Sequence, residues 1–321
     1  MAAGRPRGGR VLRTGVRRRH RRRHGRSSGG QRRLRAHRPR SQGPRRDRAA
    51  GGVKVRAPAT SANLGPGFDV AGVAFDLWNE VEIAEGNGHV DEENLVVRAF
   101  AKFASPQGRS FTFVERIPRE RGLGSSASAV ALGLVAGALV AGVEPTADDL
   151  LEAGLDLEGH PDNLAAALAG GVCLTWEGRI ARVADDLPAS VVAVIPETRV
   201  LTAHARELLP QAVPYEDAAF SAARAALLGA ALAAGSPSLL AASAADRLHE
   251  PYRSEDAPWL GEIRADLPAG ALGAALSGSG PTVLVWVERG READVERVLA
   301  ERFPDCDVRR LPVTATGAGP A

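Results

Sequence analysis

The chain has 321 residues, enough for one large domain or two modest ones, and its formal net charge of +3 hides an uneven distribution. The first 50 residues contain 19 arginines and a single acidic residue, Asp47, so they carry +18, while the other 271 residues carry −15. Any argument from the basic isoelectric point to nucleic-acid binding therefore applies only to this N-terminal tail.

The two cysteines, Cys173 and Cys306, are too few for a disulfide framework, and they favour a reduced, cytoplasmic location. The most apolar stretch, residues 129–143, is about 15 residues long and falls short of the roughly 20 that a membrane-spanning helix needs. We therefore expect no membrane span, and the sequence shows no secretory signal pattern.

Residues 1–52 consist mainly of Arg, Gly, Ser and His with almost nothing to bury, so we expect this tail to be disordered. Three hypotheses compete for it: binding of RNA or another polyanion through phosphate contacts, a targeting peptide, or an extension without function. An apolar face is missing from the tail, and the pattern changes abruptly at Val53, which together favour the third.

After the tail, strands and helices alternate, as in an α+β protein. Period-two alternation predicts strands, and apolar residues at helical spacing predict helices. In chain order, the first half is predicted to contain strands at 53–60 and 77–85, a helix at 94–104, a strand at 109–118, helices from 125 and over 146–157, a helix beginning near 162, and strands at 171–178 and 189–196.

The second half is predicted to be mainly helical and to close with a mixed unit. Its predicted elements are helices at 202–209, 217–234, 238–248 and 255–266, strands at 270–278 and 282–288, a helix at 291–303 and a strand at 307–313. The ending resembles a strand–strand–helix–strand sandwich with its helices on one side of an antiparallel sheet. Pro196 is the predicted boundary between the two halves.

The stretch "RGLGSSASAV", residues 121–130, stands between a predicted strand and the long apolar helix. Glycines let backbone N–H groups approach an anion, and the helix dipole adds about half a positive charge there. The stretch does not match the lysine-containing P-loop. On its residues alone two interpretations stay open: a phosphate-binding loop, or a tight turn with Ser125 or Ser126 capping the helix.

Three further motifs accompany this stretch: "PATSANLGPGFDVAG", "EGHPDNLAAALAGG" and "ALSGSGPTVLVW". Together the four resemble the GHMP small-molecule kinases, and "SANLGPGFD" resembles the homoserine kinases among them. The resemblance covers about 53–313. It implies an N-terminal domain (53–196) like the second domain of ribosomal protein S5, a ferredoxin-like C-terminal domain (197–315), and ATP and substrate bound between them.

The resemblance implies transfer of the γ-phosphoryl group of ATP to the hydroxyl of L-homoserine, with Mg²⁺. Ser125, Ser126 and Glu158 are its implied Mg²⁺ ligands, although the longer spacer of some relatives would select Glu152 instead. Alternatively, Glu158 is a solvated acid at a helix end. The implied ATP phosphate-binding residues are Arg121, Gly122, Leu123, Gly124, Ser125, Ser126, Ala127 and Ser128.

Homoserine is a zwitterion, so its site must offer both an anion and a cation. The resemblance assigns Asn63 and Asp69 to the amino-acid end of the substrate, and Arg206 and Arg253 to its carboxylate, which the planar guanidinium suits. Thr202 lies one helical turn before Arg206, so both could face the substrate. The alternatives are turn residues for the first pair, surface arginines for the second and an N-cap role for Thr202.

His160, Asp162 and Asn163 form the predicted catalytic group at the start of a helix. Asp162 could act as a base toward the substrate hydroxyl, or it could cap the helix. Because dissociative phosphoryl transfer needs little prior deprotonation, the existence of a base stays open. His160 and Asn163 are expected to contact substrate or phosphate. The motif "LSGSGPT", residues 276–282, is expected to pack against the phosphate loop and the substrate by close backbone approach, or to be a hairpin turn without a ligand.

Three other functions compete with this interpretation. The first is a GHMP kinase for another small alcohol, and the second is a polyanion-binding protein that acts through residues 1–52. The third is a catalytically silent regulator, against which the intact phosphate loop argues. We also expect a homodimer.

Overall fold

The computed structural model describes residues 52–86 and 90–321, so the predictions for residues 1–51 lie outside it. The described strands are β1 (Val53–Asn63), β2 (Gly67–Glu85), β3 (Arg109–Val114), β4 (Val172–Trp176), β5 (Arg179–Ala184), β6 (Ser190–Pro196), β7 (Ala271–Leu276), β8 (Val283–Val287), β9 (Cys306–Arg310) and β10 (Gly319–Pro320). The described helices are α1 (Leu95–Phe100), α2 (Ser125–Ala141), α3 (Ala147–Glu158), α4 (Pro161–Ala169), α5 (Thr202–Glu207), α6 (Tyr215–Ala234), α7 (Pro237–Ser243), α8 (Pro258–Ala265) and α9 (Glu292–Arg302), with a 3₁₀ turn at Pro251–Arg253.

The first sheet is antiparallel, with the order β10-β1-β2-β4-β5, and β3 also pairs with β2. Strand β2 has 19 residues, so its second half pairs with β3 while residues 71–73 pair with β4. Helices α1 to α4 contribute to one hydrophobic cluster with side chains of this sheet. The cluster includes Ile83, Phe100, Leu134 and Leu164, all buried.

Helix α2 is apolar on all sides, as expected of a helix buried within a domain. A Cβ on Gly133 would lie 2.2 Å from the carbonyl oxygen of Val96, and one on Gly137 would lie 2.6 Å from that of Phe100. These two glycines therefore allow α1 to pack directly against the α2 backbone.

The second sheet is antiparallel with the order β7-β8-β6-β9, and α9 connects β8 to β9. This strand order, with helices between β6 and β7 and between β8 and β9, is the ferredoxin-like arrangement that the resemblance implied. Helices α8 and α9 cover one face through Ile263, Val295 and Leu299.

The sheets divide the chain differently from the predicted boundary at residue 196. Strand β6 precedes that boundary, yet it pairs with β8 and β9 and lies in the second sheet. At the other end of the chain, β10 pairs with β1 in the first sheet. The reason is that hydrogen-bond pairing depends on which strands meet in space, and chain order does not fix that.

A third hydrophobic cluster joins the two sheets. It combines Phe75 of β2 with Trp286 of β8 and Leu228 of α6, all fully or nearly fully buried. Removing such side chains from water is worth about 1.5–3 kcal/mol each. The cluster therefore packs the two sheets against each other.

Several predicted elements differ from the observed ones in extent. The second strand begins at Gly67 rather than 77, and β5 and β10 were not predicted. The helix predicted to reach 248 ends at Ser243, because the side chain of Asp246 accepts three backbone N–H bonds and holds the chain in a turn.

Helix α6, with 20 residues and a mean hydropathy of 1.3, is long and apolar enough to cross a membrane. This finding rests on length and composition alone, and a single helix of this kind is weak evidence for a membrane span. One of its faces contributes Leu228, Ala231 and Leu232 to the cluster between the sheets.

Candidate active site

A cavity of about 180 Å³ lies where loops of the two sheets meet. It is bounded by the loop after β1, the N-terminus of α2, the start of α4, helix α5 and the turn after β7. The predicted site residues that line it are Asn63, Asp69, Gly122, Gly124, Ser125, Ser126, Glu158, His160, Asp162, Asn163, Thr202, Arg206 and Arg253.

The glycine-serine stretch forms a tight loop that ends at the N-terminus of α2. Gly124 is the N-cap, in the left-handed conformation, and no side chain caps the helix. The alternative of a cap by Ser125 or Ser126 is therefore wrong. The first-turn N–H groups stay available for an anion, as the phosphate-loop interpretation requires.

Close contacts explain both glycines of this loop. A Cβ on Gly122 would lie 2.2 Å from the carbonyl oxygen of Ser277, and one on Gly124 would lie 1.8 Å from Oγ1 of Thr60. The hydroxyl of Ser277 also donates to the carbonyl of Gly122 at 2.6 Å. The prediction that "LSGSGPT" packs against this loop by close backbone approach is confirmed.

The other four residues assigned to phosphate binding do not line the cavity. Leu123, Ala127 and Ser128 are buried, and the Ser128 hydroxyl donates to the carbonyl of Ala57 at 3.2 Å, so they hold the loop against β1. Arg121 donates through Nη2 to the carbonyl of Glu197 at 3.0 Å.

One carboxylate and two hydroxyls lie together beside the loop. Glu158, at the end of α3, accepts a hydrogen bond of 2.5 Å from Ser126, and Ser125 is adjacent in the cavity wall. Glu152 is exposed on α3 and does not line the cavity. Within the described residues there is no cluster of three or more His, Cys, Asp or Glu side chains able to hold a metal. A single carboxylate with hydroxyls suits Mg²⁺, which takes its other ligands from water and phosphates.

Asp69 and Arg206 form an ion pair at the cavity. Nη2 of Arg206 donates to Oδ1 of Asp69 at 2.6 Å, and its Nε donates to Nε2 of His160 at 2.8 Å. Both charged side chains are more than a third exposed, so the pair contributes only about 0–1 kcal/mol. It can therefore open at little cost when a ligand enters.

Asn63 holds the start of β2, which carries Asp69. Its Oδ1 accepts from the backbone N–H of Asp69 at 3.1 Å, and its Nδ2 donates to the carbonyl of Gly278 at 3.0 Å. Asn63 therefore has the turn role considered for it, and it also lines the cavity.

Arg253 and Arg206 converge on one side of the cavity. Both guanidinium groups lie over the ring of Phe68, at 5.6 and 5.7 Å from its centroid. Arg253 is only 3% exposed, so the alternative of a surface arginine is wrong for it. Burial lowers the pKa of Arg253, yet guanidinium groups stay charged at neutral pH.

Asp162 is the buried acid of the site, with 2% of its surface exposed. Burial raises its pKa to about 6, against the opposing hydrogen bond of 2.7 Å from the backbone N–H of Asn163. Oδ1 of Asn163 accepts from Thr60 at 2.8 Å. The start of α4 packs closely on β2 at Gly72, where a Cβ would lie 2.3 Å from the carbonyl oxygen of Asp162.

His160 and Thr202 complete the set of predicted residues. Nδ1 of His160 lies 3.8 Å from Glu158, which raises the pKa of the imidazole while burial opposes this. Thr202 is the first residue of α5, and Leu201 holds the N-cap position, so the N-cap alternative for Thr202 is wrong. Its hydroxyl lies 3.5 Å from that of Ser279.

Sequence reasoning missed some residues that shape the site. The cavity is also lined by Phe68, Ser279, Val200 and Leu201. His249 does not line it but contacts Arg253, which does. Phe68 and Ser279 stand inside recognised motifs, so their position was a signal. The only sequence signal for His249 was its position four residues before Arg253.

Comparison with known proteins gives consistent results. The family models for the GHMP kinases N terminal domain and the GHMP kinases C terminal region match residues 94–171 and 222–305. The homoserine kinase of Streptomyces avermitilis is 40% identical over 84% of this chain and 95% of its own length. The chain belongs to the homoserine kinase family of GHMP kinases.

Solved structures agree with this assignment to the homoserine kinase family. The homoserine kinase of Cytophaga hutchinsonii superposes with a TM-score of 0.76 at 26% identity, covering 88% of this chain and 99% of its own. A second solved structure, from Listeria monocytogenes, gives a TM-score of 0.70 at 30% identity, covering 83% of this chain and 98% of its own. The two-domain GHMP kinase fold implied by the motifs is therefore confirmed.

Proposed function

We propose that this protein is a homoserine kinase, which transfers the γ-phosphoryl group of ATP to the hydroxyl of L-homoserine and yields O-phospho-L-homoserine for threonine biosynthesis. The observation that carries the proposal is the joint presence of Asp69, Arg206 and Arg253 in one small cavity beside an uncapped helix N-terminus. Relatives bearing the name homoserine kinase support it.

The charges of the cavity suit a small zwitterion. The carboxylate of Asp69 would receive the substrate ammonium, and Arg206 and Arg253 would receive its carboxylate. An uncharged alcohol would leave the buried guanidinium of Arg253 unpaired, and a site of this kind rejects such ligands strongly. This argues for an amino acid against uncharged sugar substrates. Mevalonate does have a carboxylate for the arginines, but it lacks the ammonium that Asp69 would receive.

The phosphate side of the cavity would hold ATP. The free N–H groups at the start of α2 and the hydroxyls of Ser125 and Ser126 would bind phosphate oxygens. Ser126 and Glu158 would hold Mg²⁺, which supplies positive charge to the phosphates during transfer.

Asp162 would receive the proton of the substrate hydroxyl. With its pKa near 6, it is mostly ionised at neutral pH and still basic enough to take a proton. His160 and Asn163 would orient the substrate, each through a side chain that lines the same wall.

Other features of the chain follow from this proposal. A biosynthetic kinase is expected in the cytoplasm, and we also expect a homodimer without a membrane span. Residues 1–52 are proposed to be dispensable for catalysis, and polyanion binding through them is the second candidate function.

A coupled ADP-release assay tests the proposal. The full chain and residues 53–321 are each supplied with Mg-ATP and with L-homoserine, mevalonate, galactose or L-serine. Both forms should phosphorylate L-homoserine and none of the other three acceptors. Turnover of another alcohol only would refute the assignment of the substrate, and activity that needs the tail would refute its dispensability.

A substitution adds a residue-level test. Arg206→Ala should raise KM for homoserine about tenfold or more, because a charged hydrogen bond to the carboxylate is lost, and should change KM for ATP little. Equal increases for both substrates would reject the role given to Arg206.

A further inference from the structure

A partly buried turn stands directly behind the two arginines of the site. It is residues 244–253, between α7 and α8, and Asp246 fixes it by accepting the N–H bonds of Leu248, His249 and Glu250 at 2.9, 2.7 and 3.1 Å. Glu250 then ties the turn to the second sheet, because its carboxylate accepts from the backbone N–H of Leu276 at 2.9 Å and from Arg264 at 2.7 Å. The turn is therefore a rigid part of the fold.

His249 projects from this turn and has no exposed surface. Its Nε2 lies 2.8 Å from the carbonyl oxygen of Gly65, in the turn between β1 and β2 that precedes Asp69, and its Nδ1 lies 3.1 Å from Nη1 of Arg253. Its ring stacks on Phe68 with the centroids 4.9 Å apart. The imidazole of His249 thus joins the turn between β1 and β2, in the first sheet, to Arg253.

The partners of His249 define its protonation. A carbonyl oxygen only accepts hydrogen bonds, so Nε2 must carry a proton, and a guanidinium only donates, so Nδ1 must carry a lone pair. Only the neutral tautomer with its proton on Nε2 satisfies both contacts.

The charged groups around the ring are Asp246, Glu250 and Arg253. Burial is the largest influence and lowers the pKa of His249, Arg253 lowers it further, and the two carboxylates oppose them. Glu250 is already paired with Arg264, and Asp246 accepts backbone bonds and one from Ser221. The neutral form of His249 therefore agrees with its surroundings.

These contacts fix the orientation of the Arg253 guanidinium. Its Nη1 donates to His249 and, at 3.1 Å, to the carbonyl of Gly278, and its Nε donates to the carbonyl of Ala205 at 3.3 Å. Within residues 52–86 and 90–321, Nη2 of Arg253 makes no hydrogen bond, and Arg253 lines the cavity. The guanidinium is thus held on one side and left free on the other.

We propose that His249 is a positioning residue, whose Nδ1 accepts from Nη1 of Arg253 so that Nη2 of Arg253 is presented to the carboxylate of an α-amino-acid substrate, while its bond to Gly65 selects the tautomer. This inference rests on the proposed function, because it takes the substrate carboxylate as the ligand of Arg253. His249 itself touches neither substrate nor phosphate.

Three substitutions separate the two hydrogen bonds from the ring. His249→Asn keeps an acceptor near the place of Nδ1, His249→Gln keeps a donor near the place of Nε2, and His249→Phe keeps only the ring. Ser243→Ala is the matched control, since Ser243 is equally buried and its hydroxyl donates only to the carbonyl of Leu240. Steady-state kinetics on the full chain give KM for homoserine, KM for ATP and kcat for each.

The Gln and Phe variants should raise KM for homoserine about tenfold, as expected for one lost hydrogen bond to a charged group, with KM for ATP and kcat within about threefold. The Asn variant should stay within about threefold of the original protein for all three. Equal effects of Asn, Gln and Phe, or increases in KM for ATP as large as those for homoserine, would overturn the proposal.

A spectroscopic test does not depend on homoserine being a substrate. ¹⁵N NMR of the full chain labelled at histidine should show His249, assigned by loss of its signal in His249→Asn, as the neutral Nε2–H tautomer at pH 7. Arg253→Met should change the Nδ1 shift, because that lone pair loses its donor. An imidazolium, an Nδ1–H tautomer or an unchanged shift would overturn the inference, whereas absent homoserine turnover alone would overturn the proposed function.

Discussion

Replacing the buried carboxyl of Asp162 should make the stability of the protein depend differently on pH. Asp162→Asn is nearly isosteric and keeps the oxygen that accepts from the backbone N–H of Asn163. The substitution removes the ionisation of a side chain that is 2% exposed. It therefore isolates the free energy of holding a carboxylate in this position.

The magnitude follows from the pKa of Asp162. A rise from 3.8 to about 6 corresponds to about 3 kcal/mol. Because the folded pKa is raised, the folded state holds the proton more tightly, so the contribution of Asp162 to stability is fully present below pH 3.8 and is lost as pH rises through about 6. The variant has no such loss, so it should gain about 2.5 kcal/mol relative to the original protein between pH 4 and pH 7.

Urea unfolding at several pH values and constant ionic strength measures this difference. A constant offset is also expected, since the buried amide of the Asn variant loses or gains hydrogen bonds independently of pH. Asp305→Asn is the control, because Asp305 is exposed and its substitution should give a nearly flat difference. A difference between Asp162→Asn and the original protein that changes by less than about 1 kcal/mol from pH 4 to pH 7 would refute the reasoning. Because the Asp162 carboxylate is proposed to accept the substrate proton, kcat/KM of the original protein should fall as pH drops below about 6, and the variant should lack this fall.

Two further substitutions test the phosphate side of the site. Glu158→Gln should raise the Mg²⁺ concentration needed for half-maximal activity, while Glu152→Gln, on an exposed part of the same helix, should not; the reverse result in a Mg²⁺ titration would select Glu152 as the ligand. Gly124→Ala should destabilise the protein by about 2 kcal/mol or more in thermal or urea unfolding, because it adds a steric clash with Thr60 to the left-handed backbone penalty. Gly142→Ala, with the same conformation and open space around it, should cost only about 1 kcal/mol, and equal losses would contradict the crowding at Gly124.

The Asp69–Arg206 contact shows how the sequence could name site residues without their arrangement. Each residue stands in a recognised motif, yet the two are 137 positions apart, and only the folded chain brings them to 2.6 Å. The roles of Thr202 and of Ser126 also depended on local geometry, because each was an equally good helix cap by sequence. The structure gives the cap positions to Leu201 and Gly124.

Missed strands illustrate the same limit in the fold. Strand β5 follows β4 through Glu177 and Gly178, both with positive φ, so a two-residue hairpin turn was present in the sequence but not recognised. Strand β10 has only two residues and exists because it pairs with β1 at the other end of the chain. Such a strand has no periodic pattern of its own to detect.

The sequence by itself determined the family, the class of fold and most of the residues that line the cavity, because glycine-rich motifs carry local backbone requirements that can be identified in one dimension. Tertiary structure alone decided that β6 belongs to the second sheet, that Glu158 rather than Glu152 reaches Ser126, and that His249 holds Arg253. The physical reason is that burial, pKa and hydrogen-bond partners arise between segments far apart in the chain. A sequence pattern specifies which groups are present, whereas packing of the two sheets specifies which of them meet.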